Sequence, residues 1–396
     1  MASSATIAPV SNGRPEWVDT VVSRGLALLT AFGVALLAGS VICLFYGESP
    51  FAVYGAIVSF AFQDPTSFGS VLALATPLIF SALAVSVCFK AGLFNIGVEG
   101  QYLVAMVTAT AAALYLDFLP GILLLIAVLA AAGLGGMAYA AVPAVLKVKT
   151  GAHEVVTTIM MNGIAVSLVA WALNGPLRYS QLPEGQNSDL RSDVFSKNAL
   201  VPDLGHHFGV GVEAELSWLF PLAILAAVLV WFLIRRMRLG FEARAVGSSA
   251  GSAQVGGISI GEVQIKLFLI SGLLAGMVGM QQLLVERGAL VQNYEALLGF
   301  TGIAVAFLAQ NNPIGIIFAA VLWSILTRGE TAVQLDTSLP REFVIILQGM
   351  LIFSVVVVYQ ISQRRLARRE LQREAAAEAV SAVATPDNAP STAGER

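Results

Sequence analysis

Apolar runs of about twenty residues recur along this chain, separated by short polar stretches. The runs fall near 25–46, 67–89, 94–116, 119–146, 152–173, 216–234, 263–285, 296–310, 314–327 and 342–360. About twenty consecutive apolar residues, wound as a helix, cross the hydrocarbon core of a bilayer. Only helices and closed barrels satisfy their own backbone there, and runs this long and continuous are helical. The pattern therefore predicts an all-α fold, a polytopic transmembrane helix bundle of about ten spans. The run 314–327 is short for a simple crossing. Pro77 inside the second run is expected to kink or break its helix. Glycines 133, 135, 136, 272, 276 and 279 mark places where helices approach closely.

Charge gives the runs a direction. Arg14, Arg24, Lys90, Lys147, Lys149, Arg235, Arg236, Arg238, Arg244, Lys266 and the arginines from 364 to 373 fall on one side of the alternation. Arg178, Arg191, Lys197, Arg287, Arg328 and Arg341 fall on the other. Cytoplasmic loops carry the excess of Lys and Arg, so both termini are expected inside. The layout is a cytoplasmic segment 1–24, a membrane domain 25–360 and a cytoplasmic tail 361–396. The tail reads as partly disordered. Within the domain, 174–215 forms an extracytoplasmic loop, as do the shorter connections 47–66 and 328–341.

Composition agrees with the membrane reading. The 396 residues are 57% hydrophobic and only 12% charged, about half the charge of a soluble domain. Mean hydropathy is +0.79. No basic stripe points to nucleic acid. The two cysteines, Cys43 and Cys88, both lie in apolar runs and do not form a disulfide framework.

Three polar motifs interrupt this pattern. The first is KAGLFNIGVEGQ at 90–101, with Asn95, Glu99 and Gln101 at the start of an apolar span near its inner end. A carboxylate inside a span is costly, so Glu99 should face protein or water. It either lines a path or ties off a broken helix end. The second is GAHEVVTTIMMN at 151–162. Thr158 and Asn162 are four apart and share a helix face. Such a face lines a polar path or bonds to a neighbouring helix. His153 has no second ligand at metal spacing and reads as an interfacial side chain. The third is GFTGIAVAFLA at 299–309, followed by Asn311, Asn312 and Pro313. Gln281, Gln282 and Glu286 close the outer end of the seventh run, either as a gate or as a solvated helix end. Gly-rich breaks in both halves hint at an inverted repeat.

The stretch 235–262 is a polar island too long for a minimal turn. Its glycines 247, 251, 256 and 257 frame a short helix at Ala250–Val255, with Ser248 or Ser249 as cap. No GxxxxGK[ST] pattern occurs, so a P-loop ATPase activity is not expected from this chain.

GLFNIGVEGQ, GAHEVVTTIMMN and the 299–313 motif, in this order, resemble the signatures of permease subunits of bacterial ABC importers. The similarity is to the branched-chain amino acid, ribose and nucleoside permease superfamily, and the motif forms look like its nucleoside branch. The resemblance implies ATPase subunits, a second permease and an extracytoplasmic binding protein as partners. It implies no cofactor on this chain, ATP being used by partner subunits, and a bacterial plasma membrane location. It makes 235–262 the coupling loop, with Glu242, Arg244, Gly247, Ala250, Gly251, Gln254 and Gly257 as residues meeting the ATPase. Asn95, Glu99, Gln101, Thr158, Asn162, Gln282 and Asn311 become candidates for the translocation path or its helix breaks. An ion-driven secondary transporter would instead need buried carboxylates deep in spans, for which Glu99 is the one candidate. An ABC permease for simple sugars or branched-chain amino acids is the other alternative. An intramembrane enzyme would need a catalytic cluster, and none is visible in the sequence.

Overall fold

Several helix starts are set by one side chain. Asp64 accepts the Ser67 N–H at 2.7 Å, with Pro65 in the first helical position. Asn312 accepts from Ile314 N at 3.2 Å ahead of Pro313. Ser249 accepts from Ser252 N at 3.3 Å. Each satisfies a backbone donor that the first turn leaves unpaired. The Ser67 amide holds the Asp64 carboxyl below its usual range. That contribution to stability is present above the ordinary carboxylate range and is lost as pH falls through the lowered value. Asp64→Asn keeps a capping oxygen, so it should remove this acid sensitivity without losing the cap, as read by thermal unfolding across pH.

The computed structural model describes residues 16–179, 190–205, 209–211, 214–292, 297–340 and 342–358, with 360, 361, 364 and 375. The tail and N-terminal expectations fall largely outside these residues. The helices are α1 (Glu16–Phe45), α2 (Pro50–Ala61), α3 (Pro65–Phe89), α4 (Val98–Tyr115), α5 (Gly121–Thr150), α6 (Glu154–Asn174), α7 (Leu219–Arg236), α8 (Arg238–Ser248), α9 (Ala250–Val255), α10 (Ile260–Gly276), α11 (Leu298–Leu308) and α12 (Pro313–Asp336). They end with α13 (Glu342–Val358). The chain divides into two units, Gly39–Gln348 and Met1–Ala38 with Gly349–Arg396; the second takes in the first part of α1 and the end of α13. The side-chain contacts and the cavity described below lie within Gly39–Gln348.

Five helices, α3, α5, α6, α7 and α12, are by themselves long and apolar enough to cross a membrane. Residues 29–45 of α1 and α2, bent by 114°, form either a broken sixth span or a re-entrant pair, and α11 and α13 are apolar but shorter. In its most apolar window α3 is 89% buried and α6 only 22%, so α3 is central and α6 peripheral. Pro77 does not break α3, which stays one 25-residue helix. Buried helices re-satisfy a freed carbonyl through their neighbours.

Four further expectations change. The connection expected at 47–66 contains α2, whose Val53, Ile57 and Ala61 recur every four residues and are buried; Ile57 packs on Gly329 of α12. The outer loop expected from Arg328 is helical through Asp336, because Thr327 is held from α13 by Gln348 Nε2 at 3.0 Å and α2 covers the next turn. The run 263–285 is not one helix: α10 stops at Gly276, and a π-helical turn covers Gln282–Arg287. The island 235–262 has more helix than expected, since α8 precedes the α9 that the glycine spacing predicts.

The tightest helix pair is α5 with α10. A β-carbon on Gly272 would lie 2.5 Å from both Ala140 Cβ and the Gly136 carbonyl oxygen. These helices touch backbone to backbone, as small-residue stripes allow in membranes.

Candidate functional site

The breaks in the helices meet each other. Asn95 and Gln101 exchange side-chain hydrogen bonds at 3.1 Å in both directions. The Asn95 amide also donates to Ser271 Oγ at 2.9 Å, and Ser271 donates to the Ala84 carbonyl at 2.7 Å. Asn95 Oδ1 accepts from Gly97 N at 3.0 Å. This buried network carries the chain from the end of α3 into α4 and leaves few polar atoms unpaired. Ser271 lies eleven residues into α10, about 16 Å along its axis at 1.5 Å per residue. Ser271 is also only five residues, about 7.5 Å, beyond the exposed Lys266 on the same helix.

Glu99 holds the second break. Its Oε1 accepts from Tyr102 Oη at 2.9 Å and from Leu297 N at 2.9 Å. Its Oε2 accepts from Gly299 N at 2.8 Å. The carboxylate is 7% exposed and caps the start of α11, where unpaired N–H groups and the helix dipole favour an anion. Leu297 takes the left-handed backbone, φ 80°, to start that helix. Gly299 is required because a β-carbon there would lie 2.5 Å from the Glu99 amide nitrogen. Asn162 of α6 does the same for α4, accepting from Gly100 N at 2.9 Å and donating to the Ile96 carbonyl at 3.1 Å.

Around this junction lies a cavity of about 470 Å³ lined by Glu99, Tyr102, Leu103, Asn162, Gly163, Val166, Val169, Gln292, Leu297 and Phe300. That volume suits a small organic solute. Val166 and Leu297, both 59% exposed, stand at its open side.

The predicted path residues divide. Glu99 and Asn162 reach the cavity. Asn95 and Gln101 are buried in the network behind it. Thr158 shares the Asn162 face but is fully buried and donates back to the Glu154 carbonyl at 2.7 Å, so it is a packing residue. Gln282 is not a solvated helix end: it is 4% exposed within the π-helical turn, and its Oε1 has no hydrogen-bond partner among the described residues. Asn311 lies in the turn between α11 and α12 at φ 55°, buried and away from the cavity. Gln281 is the outer residue with a clear role, accepting from Ser217 Oγ at 2.9 Å and donating to the Glu215 carbonyl at 2.8 Å.

Sequence reasoning missed Gln292 and Phe300. Gln292 sits in an irregular stretch whose position depends on pairing with a distant loop: Ser192 N donates to Leu290 O at 2.8 Å, Phe195 N to Gly288 O at 2.8 Å and Gln292 N to Leu190 O at 2.9 Å. No local pattern announces such a strap. Phe300 lay inside a quoted motif but reads as an ordinary apolar residue.

The second cluster lies in the 238–257 stretch, on α8 and α9. Ala250, Gly251, Gln254 and Gly257 are exposed, and Val255 of the same short helix is 92% exposed. Arg244 donates to the Ile234 carbonyl and so ties α8 to the end of α7. Glu242 pairs with Arg238 at 2.7 Å. Gly247 lies against the Lys90 carbonyl and Ala91 Cα, with no room for a side chain. The turn Lys90–Gly92 is thus the direct neighbour of α8 and the direct forerunner of the Asn95–Glu99 break.

Comparisons with known proteins place the chain in a family. The family model described as branched-chain amino acid transport system / permease component matches residues 67–356. The guanosine ABC transporter permease protein NupP of Bacillus subtilis is 34% identical over 345 residues, 86% of this chain and 95% of NupP. The glucose ABC transporter permease protein TsgB13 of Haloferax volcanii is 30% identical, over 86% of this chain and 88% of that protein. The nucleoside ABC transporter permease protein NupB of Lactococcus lactis subsp. cremoris is 30% identical, over 84% of this chain and 91% of NupB. A family match from the start of α3 to the end of α13, together with helices long enough to cross a bilayer, leads to one conclusion: this chain belongs to the branched-chain amino acid transport system permease family, and is a multi-pass membrane subunit of an ABC importer rather than an enzyme.

Proposed function

We propose that the solute is a nucleoside, carried through the cavity beside Glu99 and Asn162. The observation that carries this reading is the cavity wall. Leu103, Val166, Val169, Leu297 and Phe300 are apolar, and among the described residues only Glu99, Tyr102, Asn162 and Gln292 bring polar side chains to the space. A free sugar buries hydroxyls on every side and needs a partner for each. A nucleoside presents a flat, weakly polar base to such a wall and its ribose to the polar end. The relatives named for guanosine and nucleosides favour the same choice over the one named for glucose.

The cavity opens on the exposed side of α6, so a closed path needs a second permease subunit against it. The charge bias supports a topology of about ten crossings with both termini cytoplasmic, in which the shorter α11 and α13 contribute spans. The two breaks that meet at Glu99 support an inverted-repeat relation between halves. On this reading the chain binds no cofactor, an extracytoplasmic binding protein delivers solute, and ATPase subunits receive α9. Motion of α9 and α8 would reach the cavity through Gly247, the Lys90–Gly92 turn and the Asn95–Glu99 break.

Uptake of labelled guanosine by cells producing the whole importer tests the solute. Competition by unlabelled nucleosides and none by glucose or leucine is expected; competition by glucose alone overturns the reading. The docking surface has its own test. Val255→Cys should crosslink to the co-expressed ATPase, and Val255→Asp should lower uptake at least about tenfold, the scale of an interface anchor worth 1–2 kcal/mol. Ser249→Ala should have a smaller effect, about 1 kcal/mol of cap stability. Full uptake by Val255→Asp would remove α9 from the contact.

A further inference from the structure

We infer that Gln292 and Phe300 are the specificity-determining residues of the cavity, Gln292 reading the hydrogen-bonding edge of a heterocyclic base and Phe300 stacking on its face. This rests on the nucleoside reading and adds which atoms make the selection.

The polar groups of the cavity are not equally available. Glu99 has both oxygens engaged by Tyr102, Leu297 and Gly299. The Tyr102 hydroxyl proton is spent on Glu99. Asn162 has its oxygen on Gly100 N and its amide on the Ile96 carbonyl. These three build the site. Gln292 is different: it is an exposed lining residue whose carboxamide makes no hydrogen bond among the described residues. Its backbone is nevertheless fixed, because Gln292 N donates to Leu190 O at 2.9 Å and the neighbouring Ser192 hydroxyl accepts from Leu290 N at 2.9 Å. A held backbone with a carboxamide unengaged among the described residues can serve as a reading head. One donor and one acceptor side by side match the adjacent donor and acceptor that a purine or pyrimidine ring displays.

Phe300 supplies the complementary feature. It is 40% exposed and sits one residue beyond Gly299, the donor that Glu99 clamps. Tyr102, the other ring at the cavity, is fully buried. Among the described residues, the Phe300 ring is therefore the one with area to offer a flat ligand. Stacking tolerates any base, whereas the Gln292 edge discriminates among them.

The test uses the complete importer with its binding protein and ATPases in proteoliposomes, supplied with labelled guanosine or labelled purine riboside, whose base lacks the exocyclic groups. Gln292→Ala should lower guanosine uptake about tenfold while changing purine riboside uptake no more than about twofold, the loss of one paired edge contact. Phe300→Ala and Phe300→Leu should lower both solutes about tenfold, and Phe300→Trp should restore them, because the ring face is what is used. The guanosine-to-purine-riboside ratio does not depend on how much protein inserts, so a poorly produced variant still reports. An unchanged ratio in Gln292→Ala, or full transport by Phe300→Leu, overturns this assignment while wild-type nucleoside uptake leaves the solute class intact. A wild-type importer that carries glucose and no nucleoside overturns both.

Discussion

Replacing Glu99 with alanine is expected to abolish uptake and to destabilise the folded protein by about 3–5 kcal/mol, the usual cost of removing one member of a buried, charge-assisted cluster. The size follows from what is left behind. Two backbone N–H groups, of Leu297 and Gly299, and the Tyr102 hydroxyl all lose their acceptor at once. The site is 7% exposed, so water does not readily replace the carboxylate. Glu99→Gln separates capping from shape. Its amide oxygen keeps the two bonds at one position, but its NH₂ then faces the Gly299 N–H, donor against donor. A loss of about 1–3 kcal/mol is expected for that one broken contact. The measurement is detergent or urea unfolding of the purified chain, beside uptake in proteoliposomes. Stability equal to wild type in Glu99→Ala would show that the carboxylate does not hold α11.

The second large effect is expected at the α5–α10 contact. Gly272→Leu should prevent the native packing, with a cost at or above the ~1–3 kcal/mol typical of overpacked cores. Even the first added carbon of Gly272→Ala would lie 2.5 Å from the Gly136 carbonyl oxygen and 2.9 Å from Met137 Cα. Backbone cannot rotate out of the way as a side-chain end does. Ser271, adjacent in α10, holds Asn95 at 2.9 Å, so separation of these helices also pulls on the first break. Gly272→Ala is thus expected to lower both stability and uptake, and Gly272→Leu to leave little folded protein, measured as monodisperse protein after extraction. Wild-type yield and stability in Gly272→Leu would mean that α5 and α10 do not meet there.

Reading along the chain was enough for the membrane class, most long helices and the family. These rest on properties of single segments: twenty apolar residues, a cap residue, a basic flank, a motif in order. The short helix Ala250–Val255 was legible for the same reason, since Ser249 and the flanking glycines act within one turn. Asn95, Glu99, Gln101 and Asn162 stood out because polar groups in apolar runs are costly and need a purpose.

Their purposes came only from neighbours far away in sequence. Glu99 caps a helix that begins some two hundred positions later, and Asn162 caps one that begins before it. Thr158, on the same face as Asn162, turned inward. Gln292 became a cavity residue because a distant outer loop pairs with its backbone. Hydrophobic periodicity records which face of a segment avoids water, so it determines that helices form and where they start. It carries no record of which partner each polar atom meets, because that depends on how the segments pack in three dimensions, and the cavity exists only after they have packed.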